Sequence, residues 1–226
     1  MKKINLKVRA VIFDMDGVIT NTMPDHFRAW KNTLGHYGVH VNHLDIYCRE
    51  GQPGTNSVQE IFSEKHKPYT PKLVQEILRK KEELFKKIAK RRFIPGARSF
   101  IRYLHQSHFQ LALVTGTSRS EVHRILPGYL YRLFDGIITG NDVKKGKPDP
   151  EPYLLALKRL KIRPQEAVVI ENAPFGIRSA KAAGLKCLAV ATSLPKEHLN
   201  GADHIFPDLK IFRRKCKFIV SGHHKR

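Results

Sequence analysis

VIFDMDGVIT, residues 11–20, joins an apolar run to two acidic residues. The run ends at Asp14 and Asp16, which are separated by one residue, and Gly17 follows them. Side chains at positions i and i+2 of an extended segment point in the same direction, so both carboxylates would face one small volume. Like charges at that separation repel each other unless a cation lies between them. The stretch therefore predicts a buried strand that ends at a cation-dependent site.

The rest of the chain alternates between strand patterns and helix patterns. Short apolar runs at 110–117, 136–140, 167–172 and 186–192 have the length of buried strands, and segments of helical periodicity separate them. This alternation predicts an α/β fold with right-handed crossovers between parallel strands. Ligands of such sheets bind at the carboxyl ends of the strands. Four polar side chains besides Asp14 and Asp16 lie at the ends of these runs or in the turns after them: Thr115, Lys147, Glu171 and Asn172.

Residues 23–92 interrupt the alternation, because they show helical periodicity and no strand pattern. We therefore predict an all-helical insertion, or cap, directly after the first strand. The chain would divide into a catalytic core (1–22 and 93–210), the helical cap (23–92) and a basic C-terminal tail (211–226). The cap leaves the sheet beside Asp14 and Asp16, so it can act as a lid over them.

Composition narrows the class of protein. The 226 residues include no apolar run long enough to span a membrane, and Lys7 and Arg9 interrupt the N-terminus where a signal peptide would be apolar. The chain has three widely spaced cysteines without a metal-binding pattern. An odd, sparse set of this kind is typical of reduced thiols. We therefore expect a cytoplasmic protein without a membrane span.

The net charge of +21 is unevenly distributed, with basic blocks at 64–92 and 210–226. Such charge favours anionic partners, including nucleic acid, anionic membrane surfaces and phosphorylated small molecules. No nucleic-acid-binding motif accompanies it. A solvated basic surface therefore remains an alternative to a binding surface.

The residue types at the strand ends suit phosphoryl transfer. Mg²⁺ prefers oxygen ligands and often bridges a few carboxylates to a phosphate. Asp14 is a candidate nucleophile and Asp16 a candidate general acid/base. Thr115 and the amide of Gly116 are candidates for holding phosphoryl oxygens, and Lys147 for neutralising charge. Glu171 and Asn172 are candidates for completing a magnesium shell.

Four segments carry a family resemblance: DMDGVITNT, VTGTS, GKPDPEPY and VVIENAPFGI, in this order along the chain. They resemble the signatures of haloacid dehalogenase-like phosphotransferases, and the cap entry is similar to that of the β-phosphoglucomutase-like branch. The resemblance covers about residues 8–208. It implies a Rossmann-like core with a helical cap, Asp14 as nucleophile and Asp16 as general acid/base.

The same resemblance implies that Thr115 binds the phosphoryl group and that Lys147 bridges it to Asp14. It also implies a Mg²⁺ ion held by four residues: Asp14, Asp16 (through its backbone carbonyl), Glu171 and Asn172. Asn172 departs from the pattern, since many family members carry a second acid at that position. A neutral amide oxygen is a weaker ligand than a carboxylate.

Three functions compete on this basis. The first is a magnesium-dependent phosphatase that hydrolyses a small phosphorylated metabolite or inorganic pyrophosphate. The second is a sugar-phosphate mutase, although Gly54 stands where mutases of this branch carry a cap arginine, and Arg49 is offset from that position. The third is a binding protein for anions or nucleic acid that uses the basic surface.

The cap supplies two further candidate site residues. The loop around Glu50 is similar to the cap loop of a subgroup that includes inorganic pyrophosphatases. We expect Glu50 to approach the magnesium ion, since a lone acid on the lid would repel a substrate phosphate; a loop acid paired with a basic neighbour is the alternative. His26 on the first cap helix is either an acid/base helper near the substrate or a histidine of the cap–core interface.

Overall fold

Two parallel sheets organise residues 3–221, the part of the chain that the computed structural model describes. The strands are β1 (Ile4–Val8), β2 (Ala10–Phe13), β3 (Gln110–Val114), β4 (Gly136–Ile138), β5 (Ala167–Glu171), β6 (Lys186–Val190), β7 (His204–Phe206) and β8 (Cys216–Val220). Six of them form one sheet in the order β4-β3-β2-β5-β6-β7, and β1 pairs with β8 in the other. This arrangement confirms the predicted α/β class with a parallel core.

Helices cover both faces of the larger sheet and fill the insertion. They are α1 (Met23–Gly35), α2 (His43–Tyr47), α3 (Gly54–Glu64), α4 (Pro71–Ile88), α5 (Ala97–Gln106), α6 (Arg119–Ile125), α7 (Gly128–Tyr131), α8 (Glu151–Leu160), α9 (Pro174–Ala182) and α10 (Leu209–Lys215). Helices α1 to α4 lie between β2 and β3 and represent the helical insertion predicted after the first strand. No helix in residues 3–221 is both long enough and apolar enough to cross a membrane.

Strand β2 lies in the middle of the sheet and is buried along its whole length. Val11 and Phe13 belong to the apolar cluster on one face, whereas Ala10 and Ile12 belong to the cluster on the other. Burial on both faces explains why the sequence shows a continuous apolar run rather than alternation. Phe13 pairs with Leu113 of β3 and Ile170 of β5, so the three strands end at the same level. The side chains that follow them are thereby brought together.

The two connections between the core and the inserted helices lie side by side. The Asn21 amide donates to the Arg92 carbonyl at 2.9 Å, and the Ile94 amide donates to the Ile19 carbonyl at 2.9 Å. The Arg92 guanidinium also donates to the buried Asp25 carboxylate at 2.7 Å. The insertion is therefore attached by two short segments that are hydrogen bonded to each other close to Asp14 and Asp16.

The C-terminal segment differs from the predicted tail. Residues 211–220 belong to α10 and β8, and the register of β8 with β1 runs from Ile4↔Cys216 to Val8↔Val220. Phe212 is fully buried and packs edge-on against Phe100 with 5.7 Å between ring centres. The sequence pattern did not reveal this, because basic residues interrupt the apolar residues of the segment. Residues 1–2 of the predicted core and 222–226 of the predicted tail lie outside the described residues.

Candidate active site

Asp14 follows the last residue of β2 and contacts a buried lysine. Lys147 Nζ donates to Asp14 Oδ1 at 2.7 Å, to Glu171 Oε1 at 2.7 Å and to the Val114 carbonyl at 3.3 Å. The second oxygen of Asp14, Oδ2, is buried and has no hydrogen-bond partner among the described residues. One ammonium group thus joins carboxylates from two adjacent strands and leaves one oxygen of Asp14 available.

Burial and neighbouring charges set the pKa values of Asp14 and Lys147. It raises the pKa of Asp14 well above its ordinary value, because the charge of Lys147 offsets only part of the desolvation while the charges of Glu171 and Asp16 add to it. Burial alone would lower the pKa of Lys147, but the two carboxylates outweigh it and raise that pKa. Lys147 is therefore a permanent cation at the site.

Asp16 is surrounded by hydroxyl groups and one imidazole. Its Oδ2 accepts hydrogen bonds from Thr117 Oγ1 at 2.9 Å and Thr115 Oγ1 at 3.3 Å. Its Oδ1 accepts from the Thr22 hydroxyl and lies 3.4 Å from His26 Nε2. Burial acts to raise the pKa of Asp16, but the hydrogen bond and charge of His26, together with the hydroxyl donors, lower it to about 2. In this arrangement Asp16 is a carboxylate.

Glu171 is held by four donors. Its Oε1 accepts from Lys147 and from the Tyr153 hydroxyl at 3.1 Å, and its Oε2 accepts from the amides of Asn172 at 2.7 Å and Ala173 at 2.9 Å. A methyl group at Gly176 would lie 1.6 Å from Oε1, so this position must lack a side chain. Glu171 is fixed by protein groups on both of its oxygens.

Asn172 presents a second unpaired oxygen. Its Nδ2 donates to Ser193 Oγ at 3.0 Å, whereas its buried Oδ1 has no partner in the described part of the protein. A buried acceptor without a donor is unfavourable by about 1–3 kcal/mol. Asp14 Oδ2 and Asn172 Oδ1 are therefore two buried oxygens that a cation could satisfy.

The inserted segment brings His26 and Glu50 to Asp16, and Lys81 to His26. Asp16, His26 and Glu50 each place one potential ligand atom within 4.8 Å of the others. Lys81 Nζ lies 3.3 Å from His26 Nδ1 and 5.3 Å from the centre of the Trp30 ring. Burial is the main reason that the pKa of Glu50 is raised, with Asp16 adding to the effect and His26, Lys81 and Lys147 opposing it.

The loop that carries Glu50 touches the core directly. A side chain at Gly51, whose φ is 87°, would lie 2.8 Å from Lys147 Cδ, and one at Gly116 would lie 3.3 Å from the Gly51 carbonyl oxygen. Cys48 Sγ lies 3.7 Å from His198 Nδ1 on the core. These contacts describe a cap that is closed over the strand ends.

A cavity of about 350 Å³ lies between the cap and the core. Its lining includes Trp30, Lys81 and Glu82 from the cap, and Thr115, Gly116 and Lys147 from the core. The mixture of an aromatic ring, charged groups and backbone amides suits a small polar, anionic molecule.

Arg49 borders this cavity, but other groups engage its guanidinium. Arg49 Nε donates to Glu60 at 3.1 Å, Nη1 donates to the Asp45 carbonyl at 2.8 Å, and Nη2 pairs with Glu64. At Gly54 a side chain would lie 2.5 Å from Leu78 Cδ2, so an arginine there would require rearrangement. The cap therefore presents no free arginine from either position.

The structure brings most of the predicted site residues to one place. Asp14, Asp16, Thr115, Lys147, Glu171 and Asn172 meet at the strand ends, with His26 and Glu50 above Asp16. Sequence reasoning missed four contributors: Thr22, Thr117, Tyr153 and Lys81. Thr22, Thr117 and Tyr153 lie within three of the four motifs quoted above, and their presence in those motifs was the available signal.

Fold and site together define an α/β enzyme of phosphoryl transfer. A family model described as Haloacid dehalogenase-like hydrolase matches residues 11–190, and the chain belongs to this family. The resemblance inferred from the four motifs is confirmed. The protein is thus a phosphoric-ester hydrolase or mutase of the haloacid dehalogenase type.

The relatives of this chain include phosphatases named for phosphorylated carbohydrates. The chain is 34% identical over 186 residues to a phosphorylated carbohydrates phosphatase of Thermotoga maritima, covering 79% of this chain and 83% of the relative. It is 31% identical over 183 residues to the fructose-1-phosphate phosphatase YqaB of Escherichia coli, covering 80% and 95%. A Bacteroides vulgatus structure provisionally named a β-phosphoglucomutase superimposes with a TM-score of 0.82 at 33% identity, covering 93% and 88%.

Proposed function

We propose that this protein is a magnesium-dependent phosphatase that hydrolyses a small phosphorylated carbohydrate through an aspartyl-phosphate intermediate. The observation that carries the proposal is Asp14, which is held through Oδ1 by Lys147 and keeps Oδ2 unpaired beneath the cavity-lining residues. The relatives named for carbohydrate and fructose phosphates support an ester of this kind as substrate.

The residues present fit a magnesium ion. Asp14 Oδ2 and Asn172 Oδ1 are buried oxygens without donors, and oxygen donors are the ligands that Mg²⁺ prefers. These two side chains would hold the ion, with the backbone carbonyl of Asp16 as the family resemblance implies. Both oxygens of Glu171 are already hydrogen bonded. Glu171 would therefore support the magnesium site indirectly, by positioning Lys147 and the adjacent amides. When bound, the ion supplies positive charge to the transferring phosphoryl group.

Phosphoryl transfer starts at Asp14 in this proposal. An oxygen of its carboxylate forms a bond to phosphorus while the bond from phosphorus to the sugar oxygen breaks, and the electron pair leaves with that oxygen. Lys147 remains protonated and neutralises charge that builds up between Asp14 and the phosphoryl group. Thr115 and the Gly116 amide, which line the cavity, hold phosphoryl oxygens.

Proton transfer is assigned to Asp16 together with His26. Since the pKa of Asp16 is about 2 in the closed arrangement, it carries no proton of its own near neutral pH. His26 Nε2, 3.4 Å away, can supply the proton that Asp16 passes to the departing sugar oxygen. The carboxylate then removes a proton from the water that attacks phosphorus, and the bond from phosphorus to Asp14 breaks, which releases inorganic phosphate. Asp16 returns its proton to His26, and the site is restored.

The cap favours hydrolysis over the mutase alternative. A mutase must hold the second phosphate of a bisphosphate, but Arg49 is engaged by Glu60 and Glu64, and Gly54 has no side chain. Glu50 beside Asp16 and His26 keeps inorganic pyrophosphate as a second candidate substrate, if a cation bridges the acid to the substrate.

A substrate panel with one variant tests the proposal. The full chain with Mg²⁺ is assayed for phosphate release from hexose phosphates, pentose phosphates and pyrophosphate. Asp14→Asn should lower turnover by at least ~10³-fold, since removing a nucleophile leaves only residual catalysis. Acid-quenched parent protein should carry ³²P from labelled substrate, and the variant should not. Activity of the variant within tenfold of the parent would refute the covalent route, and rapid interconversion of β-glucose 1-phosphate and glucose 6-phosphate would establish the mutase instead.

A further inference from the structure

Two segments that lack acidic residues meet on one face of the protein. The sequence has no Asp or Glu between Glu83 and Glu121, and none after Asp208. Helix α5 belongs to the first segment and α10 to the second. They contact each other through Arg213 Nη1, which donates to Ser99 Oγ at 3.1 Å, and through the packing of Phe212 on Phe100. The fold therefore joins two basic segments that are more than 80 residues apart in sequence.

Exposed arginines and tyrosines lie on α5 and on the helices near it. We call Arg98, Arg102, Tyr103, Tyr129 and Arg213 the arginine–tyrosine surface. Tyr103 is 47% exposed and Tyr129 is 40% exposed. The Arg102 guanidinium lies 5.3 Å from the centre of the Tyr129 ring. The pKa of Tyr129 is lowered, first by the neighbouring Arg98 and also by Arg102, while slight burial opposes the effect.

The arginines of this surface have no carboxylate partner in the described part of the chain. No ion pair joins Arg98, Arg102 or Arg213 to a carboxylate within residues 3–221. Arg98 and Arg102 are four residues apart on α5, a spacing at which like charges destabilise a helix. Basic residues of the cap contrast with them, since Arg79 pairs with Glu83 at 2.7 Å. An anionic partner would relieve this repulsion.

The combination of arginines and exposed tyrosines favours one class of anionic partner. We propose that the arginine–tyrosine surface binds single-stranded nucleic acid. Arginine recognises phosphate through a planar fork and stacks on rings, and exposed tyrosines offer faces on which unpaired bases stack. The surface is separate from the substrate cavity, because none of its five residues lines that cavity. It is also separate from the proposed hydrolysis, on which this inference does not depend.

The test measures binding of a fluorescein-labelled 20-mer of uridine to the full chain by fluorescence anisotropy. The parent should bind at 50 mM salt and lose at least about tenfold in affinity at 200 mM, as phosphate contacts do. The double variant Arg98→Gln/Arg102→Gln should bind at least about tenfold more weakly and show a smaller salt slope, by roughly 1.4 for two lost contacts on a single strand. Removing two exposed lysines elsewhere, Lys158→Gln/Lys196→Gln, should change affinity less than about twofold.

Tyr129 separates stacking from charge alone. Tyr129→Ala should weaken binding about fivefold or more, whereas Tyr129→Phe, which keeps the ring, should stay close to the parent. Circular dichroism of each variant checks that the fold is retained. Equal losses in the arginine and lysine double variants would overturn the proposal, because they would indicate a diffuse charge effect. Binding to phosphatidylserine vesicles or to blunt duplex RNA, but not to the uridine 20-mer, would overturn it as well.

Discussion

Gly176 offers a sharp test of how the site is held together. It is buried in the first turn of α9, and a methyl group there would lie 1.6 Å from Glu171 Oε1 and 2.1 Å from its Cδ. Glu171 cannot easily move aside, since its other oxygen accepts hydrogen bonds from the amides of Asn172 and Ala173. Gly176→Ala should therefore detach Glu171 from Lys147 and Tyr153.

The magnitude follows from the contacts that would be broken. Replacing glycine by alanine inside an unobstructed helix usually stabilises a protein by about 0.5–1 kcal/mol. Losing the charge-assisted bond to Lys147 costs about 1.5–3 kcal/mol, and losing the Tyr153 hydroxyl costs about 0.5–1.5 kcal/mol. We expect a net loss of about 2–3 kcal/mol in the free energy of unfolding. For a chain of this size the melting temperature should fall by roughly 5–10 °C.

Thermal unfolding followed by circular dichroism measures this effect, and a phosphatase assay follows the activity. Gly35→Ala is the matched control, because it also lies in a helix and a side chain there meets nothing within 4 Å. The control should leave the melting temperature unchanged or slightly higher. Activity of Gly176→Ala should fall more than about tenfold, since Lys147 would lose one of the two carboxylates that fix it. If Gly176→Ala melted as high as the control and kept its kcat/KM, Glu171 would not be rigidly held.

Three further changes each follow from a contact in the structure. Tyr153→Phe removes one donor from Glu171 Oε1 and should lower the free energy of unfolding by about 1 kcal/mol, as measured by urea unfolding; an unchanged midpoint would contradict this. Deleting 211–226 should prevent stable folding because it removes β8 and part of α10, whereas deleting only 222–226 should not. Circular dichroism of both truncated proteins measures this, and a folded protein without 211–226 would contradict the packing argument. Burial acts to raise the pKa of Asp142, but hydrogen bonds from Arg119 and Thr139 outweigh it and lower that pKa. The stabilising contribution of Asp142 is therefore full above its usual pKa of about 3.9 and is lost as the pH falls through the lower folded value. The stability difference between the parent and Asp142→Asn should therefore shrink on acidification, and a difference that grew would refute that assignment.

The sequence was most informative where one local segment determined the outcome. Asp14 and Asp16 follow a continuous apolar run, and their spacing alone predicted a strand end with a cation-dependent site. The same reasoning located Glu171 at the end of a parallel strand. Since the carboxyl ends of neighbouring parallel strands coincide, their meeting could be expected before any coordinates.

Contacts that depend on several segments at once were not predictable. The hydroxyl groups of Thr22 and Thr117 converge on Asp16 from separate loops, and no spacing in the sequence encodes that meeting. Lys147 was expected to bridge Asp14 and a phosphoryl group, but the structure also binds it to Glu171.

The C-terminal strand failed as a prediction for a different reason. Residues 216–220 form a strand only because β1 offers a parallel partner more than 200 residues earlier in the chain. Strand patterns are recognised by alternation and by flanking turns, and a basic helix precedes this one directly. Its conformation is set by tertiary pairing rather than by local propensity.

The pairing of β1 with β8 also orders events in time during synthesis. Domains acquire structure from the N-terminus as the chain is made, but β1 is completed long before its partner exists. Until β8 becomes available, β1 lacks its strand partner, and the aromatic side chains that α10 and β8 bring to Phe100 are missing. Closing a loop of nearly the whole chain is entropically slow. The pairing of β1 with β8 should therefore form only after the residues through Val220 have been synthesised.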